Sequence, residues 1–152
     1  MREKLEKYLN DNDTLGVTAC SCGVLKKLPK YEQSISNVKK YGNFNILETN
    51  NVRTDGVVSS SNVVRASELH SLYKNNDVKL ISIASGGDFL YDMLDLVDLN
   101  LIKNNIKWIA GSSDPTSLLF IITTNLDIAT IYTPCNMSGF DMSNLHESHI
   151  NY

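Results

Sequence analysis

The chain has 152 residues, of which 42% are apolar and 20% are charged, and this is the composition of one globular domain. A complete two-domain enzyme does not fit in this length. Fourteen basic and seventeen acidic side chains give a net charge of −3. The basic excess that neutralises phosphates is therefore lacking, and we expect no nucleic-acid partner.

The sequence shows no targeting or membrane pattern. Residues 1–7 are charged and lack the apolar stretch of a signal peptide. No run approaches the roughly 18 apolar residues of a membrane span. We therefore expect a cytoplasmic protein that does not contact a membrane.

The cysteines and histidines do not predict a metal site. Cys20, Cys22 and Cys135 form an odd set without a CxxC pair, which favours reduced thiols over a disulfide framework or a zinc site. His146 and His149 are three residues apart, whereas the helical zinc motif needs a spacing of four. His70 is predicted on a helix surface. We predict no metal and no cofactor.

Short apolar runs alternate with amphipathic segments along the chain. The first run, 15–19, lies between polar and glycine-containing turns, which is typical of a buried strand. Pro29 fits a first helical turn, and Ser61 or Asn62 fits the cap of a later helix. In chain order the pattern predicts strand 15–19, helix 29–40, strand 44–48, helix 63–74, strand 78–84, helical segments through 89–96 and 99–103, strand 108–110, helix 118–123 and strand 128–132.

This alternation predicts an α/β fold. Parallel neighbouring strands need crossover connections, so we expect three layers, with a parallel sheet covered by helices on both faces. Such a fold is flavodoxin-like or class I glutamine amidotransferase-like. The pattern lapses after Pro134, where residues 135–152 are polar and rich in Asn and Ser. We expect the α/β domain to cover residues 1–133 and a loosely packed linker or tail to cover residues 134–152.

The turn from Gly111 to Thr116 follows the fourth predicted strand, at the sheet edge where open α/β folds bind ligands. A small residue two positions before Ser113 permits the sharp bend of a nucleophile elbow, although the G-x-S-x-G pattern is not met. Such a bend would expose the Ser113 hydroxyl and aim the following backbone N–H groups at an oxyanion. The alternative is an ordinary helix start, with Asp114 as N-cap and Pro115 as the first helical residue.

A second glycine turn, Ser85-Gly86-Gly87-Asp88, follows the third predicted strand. Glycines let a ligand approach the main chain, so this turn is able to present backbone amides to an anion or a tetrahedral intermediate. The alternative is an ordinary strand-to-helix connection.

Together these blocks resemble the N-terminal domain of the LD-carboxypeptidase family of serine peptidases, which includes the microcin C self-immunity proteins. The resemblance covers about residues 14–142 and rests on the order and spacing of segments 16–19, 63–72 with Arg65 and Leu69, 83–90, 101–108, 111–116 and 127–132. It implies an enzyme that removes a terminal D-amino acid from a muropeptide tetrapeptide in cytoplasmic murein recycling. The related alternative is cleavage of an amide in a peptide-nucleotide antibiotic.

The resemblance also implies roles for four residues. Ser113 would be the nucleophile, and the backbone N–H groups of Asp114 and of Gly86 or Gly87 would donate to the oxyanion. The family's Ser-Glu-His triad takes its Glu and His from a C-terminal domain, which would lie beyond this chain. Since a serine without a base is a poor nucleophile at neutral pH, we expect the chain alone to be inactive.

The sequence departs from the family at two positions. Ser112 stands where an aromatic residue usually precedes the nucleophile, and Cys20 stands where the first-strand turn usually has a proline. The expected partner is a peptide or muropeptide substrate. A surface that a second domain would cover also predicts self-association, such as a homodimer.

Two alternatives to the enzyme remain open. One is a non-catalytic binding or association module derived from this family. The other is a free-standing flavodoxin-like domain that binds a phosphate at Gly86 and Gly87, although no complete GxGxxG or P-loop pattern supports it.

Overall fold

The computed structural model describes residues 9–141. The strands in this part of the chain are β1 (Thr14–Thr18), β2 (Asn45–Glu48), β3 (Val78–Ile83), β4 (Trp108–Gly111) and β5 (Ile131–Tyr132). The helices are α1 (Leu28–Tyr41), α2 (Asn62–Lys74), α3 (Leu99–Asn104) and α4 (Thr116–Leu126), and short 3₁₀ segments cover Leu25–Lys27, Leu90–Leu96 and Met137–Gly139. No helix within residues 9–141 is both long and apolar enough to cross a bilayer.

The strands form one parallel sheet in the order β2-β1-β3-β4-β5. This is the order of the flavodoxin-like fold, in which the direction of strand addition reverses between β1 and β3 while all strands stay parallel. The predicted α/β architecture is therefore confirmed. The reversal leaves a crevice beside the carboxyl ends of β1 and β3, where the connections after the two strands diverge to opposite faces of the sheet.

Helices cover both faces of the sheet. The apolar spacing that predicted α1 places Tyr31, Ile35 and Val38 against β1, on one face. The other three helices and the Leu90–Leu96 segment share a second core with β3 on the opposite face. The side-chain oxygen of Ser61 accepts a hydrogen bond from Val64 N, as expected of the α2 cap.

The last strand is shorter than predicted. The sequence pattern predicted strand 128–132, whereas β5 contains only two residues. Asp127 adopts a left-handed φ of 54° after α4, and Ile128 then packs into the core on the α4 side. The apolar character of Ile128 therefore reflects burial next to a helix and not strand pairing.

The segment after Pro134 also differs from expectation. Met137 is 5% exposed and packs into the α1-side core, and Ser138 N donates a hydrogen bond to Ala84 O at 2.9 Å. The prediction of loose packing is therefore wrong for residues 135–141, because the Met137 side chain and the hydrogen bond from Ser138 N anchor this segment. Residues 142–152 lie outside the described part of the chain. The division into residues 1–133 and 134–152 stays a prediction.

Candidate active site

A cleft of about 570 Å³ opens at the carboxyl end of the sheet, beside the point where the strand order reverses. Its lining comes from residues 22–30, 55–56, 85–87, 112–113 and 135–139. Each of these segments follows a different strand. The two predicted turns, after β3 and after β4, therefore meet in one cleft.

Ser113 follows β4 directly and lines this cleft with an exposed side chain. Its φ of 63° is left-handed, which costs a non-glycine residue about 1–2 kcal/mol. α4 begins three residues later, at Thr116, so the chain bends sharply between strand and helix. A strained turn that presents a serine above the sheet has the geometry of a nucleophile elbow.

Gly86 is the glycine that approaches Ser113. A Cβ atom added to Gly86 would lie 3.3 Å from Ser113 Oγ and 3.2 Å from Ser113 Cβ. A Cβ on Gly87 would instead lie 2.2 Å from Ser21 Oγ, which no side chain tolerates without movement. The structure thus brings Gly86 and Ser113 together and places Gly87 against the turn after β1.

Three backbone N–H groups beside Ser113 or along its cleft lack a backbone acceptor within the described residues. Among the backbone hydrogen bonds within residues 9–141, none uses the N–H of Gly86, Gly87 or Asp114 as its donor. Gly86 and Gly87 line the cleft, and Asp114 follows Ser113. The sequence analysis predicted that the N–H groups of Asp114 and of Gly86 or Gly87 donate to the oxyanion.

The Asp114 carboxylate links the loops that follow β1, β3 and β4. Its Oδ2 accepts hydrogen bonds from Ser21 Oγ at 2.5 Å and from Leu90 N at 2.9 Å. It does not cap α4, whose N-cap is Pro115 without a side-chain hydrogen bond. The alternative of an ordinary helix start capped by Asp114 is therefore wrong, because this carboxylate holds the elbow to the turns after β1 and β3.

Two further side chains support the turns, and sequence reasoning missed both. The side-chain amide of Asn136 bonds to the backbone of Ser112. Lys27 Nζ donates to Ser85 Oγ at 2.9 Å. Each follows a strand at the carboxyl edge of the sheet. Lys27 follows β1 and Asn136 follows β5. This position was the sequence feature that could have identified them, since open α/β sheets bind ligands at that edge.

The cysteines do not form a reactive pair. Cys20 is fully buried, and this burial raises the pKa of its thiol to about 12. Cys22 Sγ donates to Val57 O at 3.0 Å. Burial also raises the pKa of Cys135. Residues 9–141 hold no group of three or more His, Cys, Asp or Glu side chains arranged to bind a metal ion.

No histidine of the described residues borders the cleft. His70 lies on α2, and its Nε2 accepts a hydrogen bond from Asp98 N at 2.9 Å. His146 and His149 lie outside the described residues. Within residues 9–141, Ser113 therefore has no imidazole that would act as its base.

Comparison with known proteins gives a consistent set of relatives. Residues 15–133 match the family described as the LD-carboxypeptidase N-terminal domain. The Bacillus subtilis protein named "Probable murein peptide carboxypeptidase" is 25% identical over 140 residues, which cover 92% of this chain and 43% of that protein.

Solved structures agree with this match. The microcin C7 self-immunity protein MccF in complex with aspartyl sulfamoyl adenosine has a TM-score of 0.82 and 27% identity, over 90% of this chain and 41% of that one. An MccF-like protein from Bacillus anthracis has a TM-score of 0.86 and 26% identity, over 97% and 45%. The chain spans about two fifths of the length of the curated relatives it matches.

Proposed function

Since the chain belongs to the LD-carboxypeptidase family, we propose that it is the nucleophile-bearing N-terminal part of a serine peptidase. The family match confirms the resemblance inferred from the sequence. The proposed substrate is a murein peptide that loses its terminal residue, or a related amide in a peptide-nucleotide. The names of the Bacillus subtilis relative and of the MccF complex support these two substrate classes.

One observation carries this proposal: Ser113 is exposed at a strained turn in the cleft, next to Gly86. In the proposed reaction Ser113 Oγ attacks the scissile carbonyl carbon and forms an acyl-enzyme as the C–N bond breaks. The N–H groups of Asp114 and of Gly86 or Gly87 donate to the oxyanion. One such donor contributes about 10²–10³-fold to the rate in serine peptidases.

The proposed enzyme also needs a base that accepts the Ser113 proton and returns it to the leaving amine. By resemblance, a Glu and a His outside this chain supply it. His70 is unsuited to this role because it lies away from the cleft and bonds to Asp98 N. The chain alone is therefore proposed to bind substrate without turnover.

Joining residues 1–141 to the C-terminal part of the Bacillus subtilis relative tests this proposal. Mass spectrometry would follow release of the terminal D-amino acid from a murein tetrapeptide. The joined protein should release it, and Ser113→Ala should lower the rate by about a thousandfold or more. Ser67→Ala, at an exposed position on α2, is the matched control and should keep full activity. Turnover by the unjoined chain, or full activity of Ser113→Ala, would show that the mechanism is wrong.

The second candidate function is a non-catalytic binding or association module. It is favoured by the lack of an imidazole near Ser113 within residues 9–141. Peptide binding without turnover in the joined protein would select this alternative. A cytoplasmic location and a homodimer likewise remain proposals, which fractionation and sedimentation would test.

A further inference from the structure

One wall of the cleft carries most of its charge. Lys26, Lys27 and Lys30 line the cleft, and among its described lining residues Asp55 is the only acidic one. Lys26 pairs with Asp55, with Nζ 3.4 Å from Oδ1. This leaves Lys27 and Lys30 as the cations that an anionic ligand would meet.

Lys27 is held beside the reacting groups. Its Nζ donates to Ser85 Oγ at 2.9 Å, and Ser85 is fully buried directly before Gly86. A lysine ammonium has three N–H donors, so its bond to Ser85 leaves two for a ligand. Because Ser85 directly precedes Gly86, which approaches Ser113, the Lys27 ammonium lies beside the proposed oxyanion turn.

Lys30 places its charge in the same cleft. It lies on α1 and its electrostatic field reaches Cys135, where it opposes the rise in pKa that burial causes. Cys135 also lines the cleft, from the segment after β5. Lys27 and Lys30 therefore both place positive charge in the cleft that Ser113 lines.

We propose that Lys27, assisted by Lys30, binds the free carboxylate at the end of the peptide substrate. This inference rests on the proposed function, in which one terminal residue is removed. In such a substrate only the amide nitrogen and one Cα separate the scissile carbonyl carbon from the terminal carboxylate carbon, so the two groups lie within one residue length, ~3.8 Å. Lys27 bonds to Ser85, the residue next to Gly86, so a carboxylate held by its ammonium would lie close to the oxyanion turn. The lysines would thereby select the last peptide bond over internal ones.

Nuclear magnetic resonance of the ¹⁵N-labelled 152-residue chain tests the inference without requiring turnover. The probes are N-acetyl-L-lysyl-D-alanine and the same dipeptide with its carboxylate converted to an amide. Titration should shift the backbone amide signals of Gly86, Gly87 and Ser113. The free acid should bind about tenfold more tightly than the amide, because a charge-assisted hydrogen bond is lost in the amide. This preference should shrink as salt is raised.

Lys27→Met should remove the preference for the free acid, so that the free acid and the amide bind to this variant with equal affinity. The side chain is exposed, so the variant should keep the wild-type spectrum away from the cleft. Lys103→Met, at an exposed position on α3, changes the net charge equally and should keep the preference.

The outcomes separate this inference from the proposed function. If neither dipeptide shifts the signals of Gly86, Gly87 and Ser113, the proposed function fails and the carboxylate subsite fails with it. If both dipeptides bind with equal affinity, or if Lys27→Met keeps the preference, the carboxylate subsite alone is overturned. If Lys27→Met and Lys103→Met reduce the preference for the free acid equally, the preference is a general charge effect. That outcome also overturns the carboxylate subsite.

Discussion

The side-chain amide of Asn136 hydrogen-bonds to both the backbone N–H and the backbone C=O of Ser112. Ser112 N donates to Asn136 Oδ1 at 2.9 Å, and Asn136 Nδ2 donates to Ser112 O at 3.0 Å. Ser112 is buried and directly precedes Ser113. The segment after β5 thus fixes the backbone that leads into the strained turn after β4.

Asn136→Ala should destabilise the domain by about 1–3 kcal/mol, since it leaves the N–H and C=O of a buried residue without these partners. Urea denaturation would measure this change in the free energy of unfolding. Asn104→Ala, at an exposed position at the end of α3, should change it by no more than about 0.5 kcal/mol. Equal effects of the two substitutions would contradict the positioning role of Asn136.

The backbone of Ser113 predicts an unusual order of stability. At a φ of 63°, glycine avoids a cost that alanine keeps, so Ser113→Gly should be more stable than Ser113→Ala by about 1 kcal/mol. Ser67 on α2 should show the opposite order, because glycine in a helix is about 1 kcal/mol less favourable than alanine. Thermal unfolding of the four variants would measure both differences. The same order at both sites would mean that Ser113 is not strained.

The fold was predictable because its signals are local. Buried strands give apolar runs, and α1 shows its buried face at spacings of three and four residues. Ser113 and Gly86 were predictable for a similar reason, since a bend or a close backbone approach restricts residue type within a few positions.

The supporting residues were not predictable in this way. Asn136 is 24 residues from Ser112, and Lys27 is 58 residues from Ser85. A single sequence does not show which distant polar residues pair. The helix-cap alternative for Asp114 was open for the same reason, because the partners of its carboxylate, Ser21 and Leu90, come from other connections.

His70 predicts a pH dependence of stability. Burial lowers its pKa from the ordinary value of 6.5, the Lys74 charge lowers it further, and Asp98 opposes both effects. The unfolded state therefore binds a proton more readily. The stability that neutral His70 contributes is complete above about pH 6.5 and is lost as the pH falls through the folded-state pKa.

Urea denaturation at about pH 7.5 and pH 5 would measure this loss. His70→Gln keeps an acceptor for Asp98 N but does not titrate in this range. The wild type should therefore lose more stability than His70→Gln between the two pH values. An equal loss in both proteins would show that protonation of His70 is not coupled to unfolding.

The bond between Ser21 and Asp114 predicts energetic coupling between the turn after β1 and the elbow after β4. Ser21 is fully buried, and its hydroxyl donates to a carboxylate at 2.5 Å. Hydrogen bonds to charged groups contribute about 1.5–3 kcal/mol. A double-mutant cycle of Ser21→Ala and Asp114→Ala should therefore give a coupling energy of that size in urea denaturation.

Asp114→Ala also removes the acceptor of Leu90 N, but that loss occurs with or without Ser21 and cancels in the cycle. Ser21→Ala combined with Asn104→Ala, which is on α3, should be additive to within about 0.5 kcal/mol. Additivity in both cycles would mean that Ser21 and Asp114 are not coupled, and that their bond does not tie the turn after β1 to the elbow.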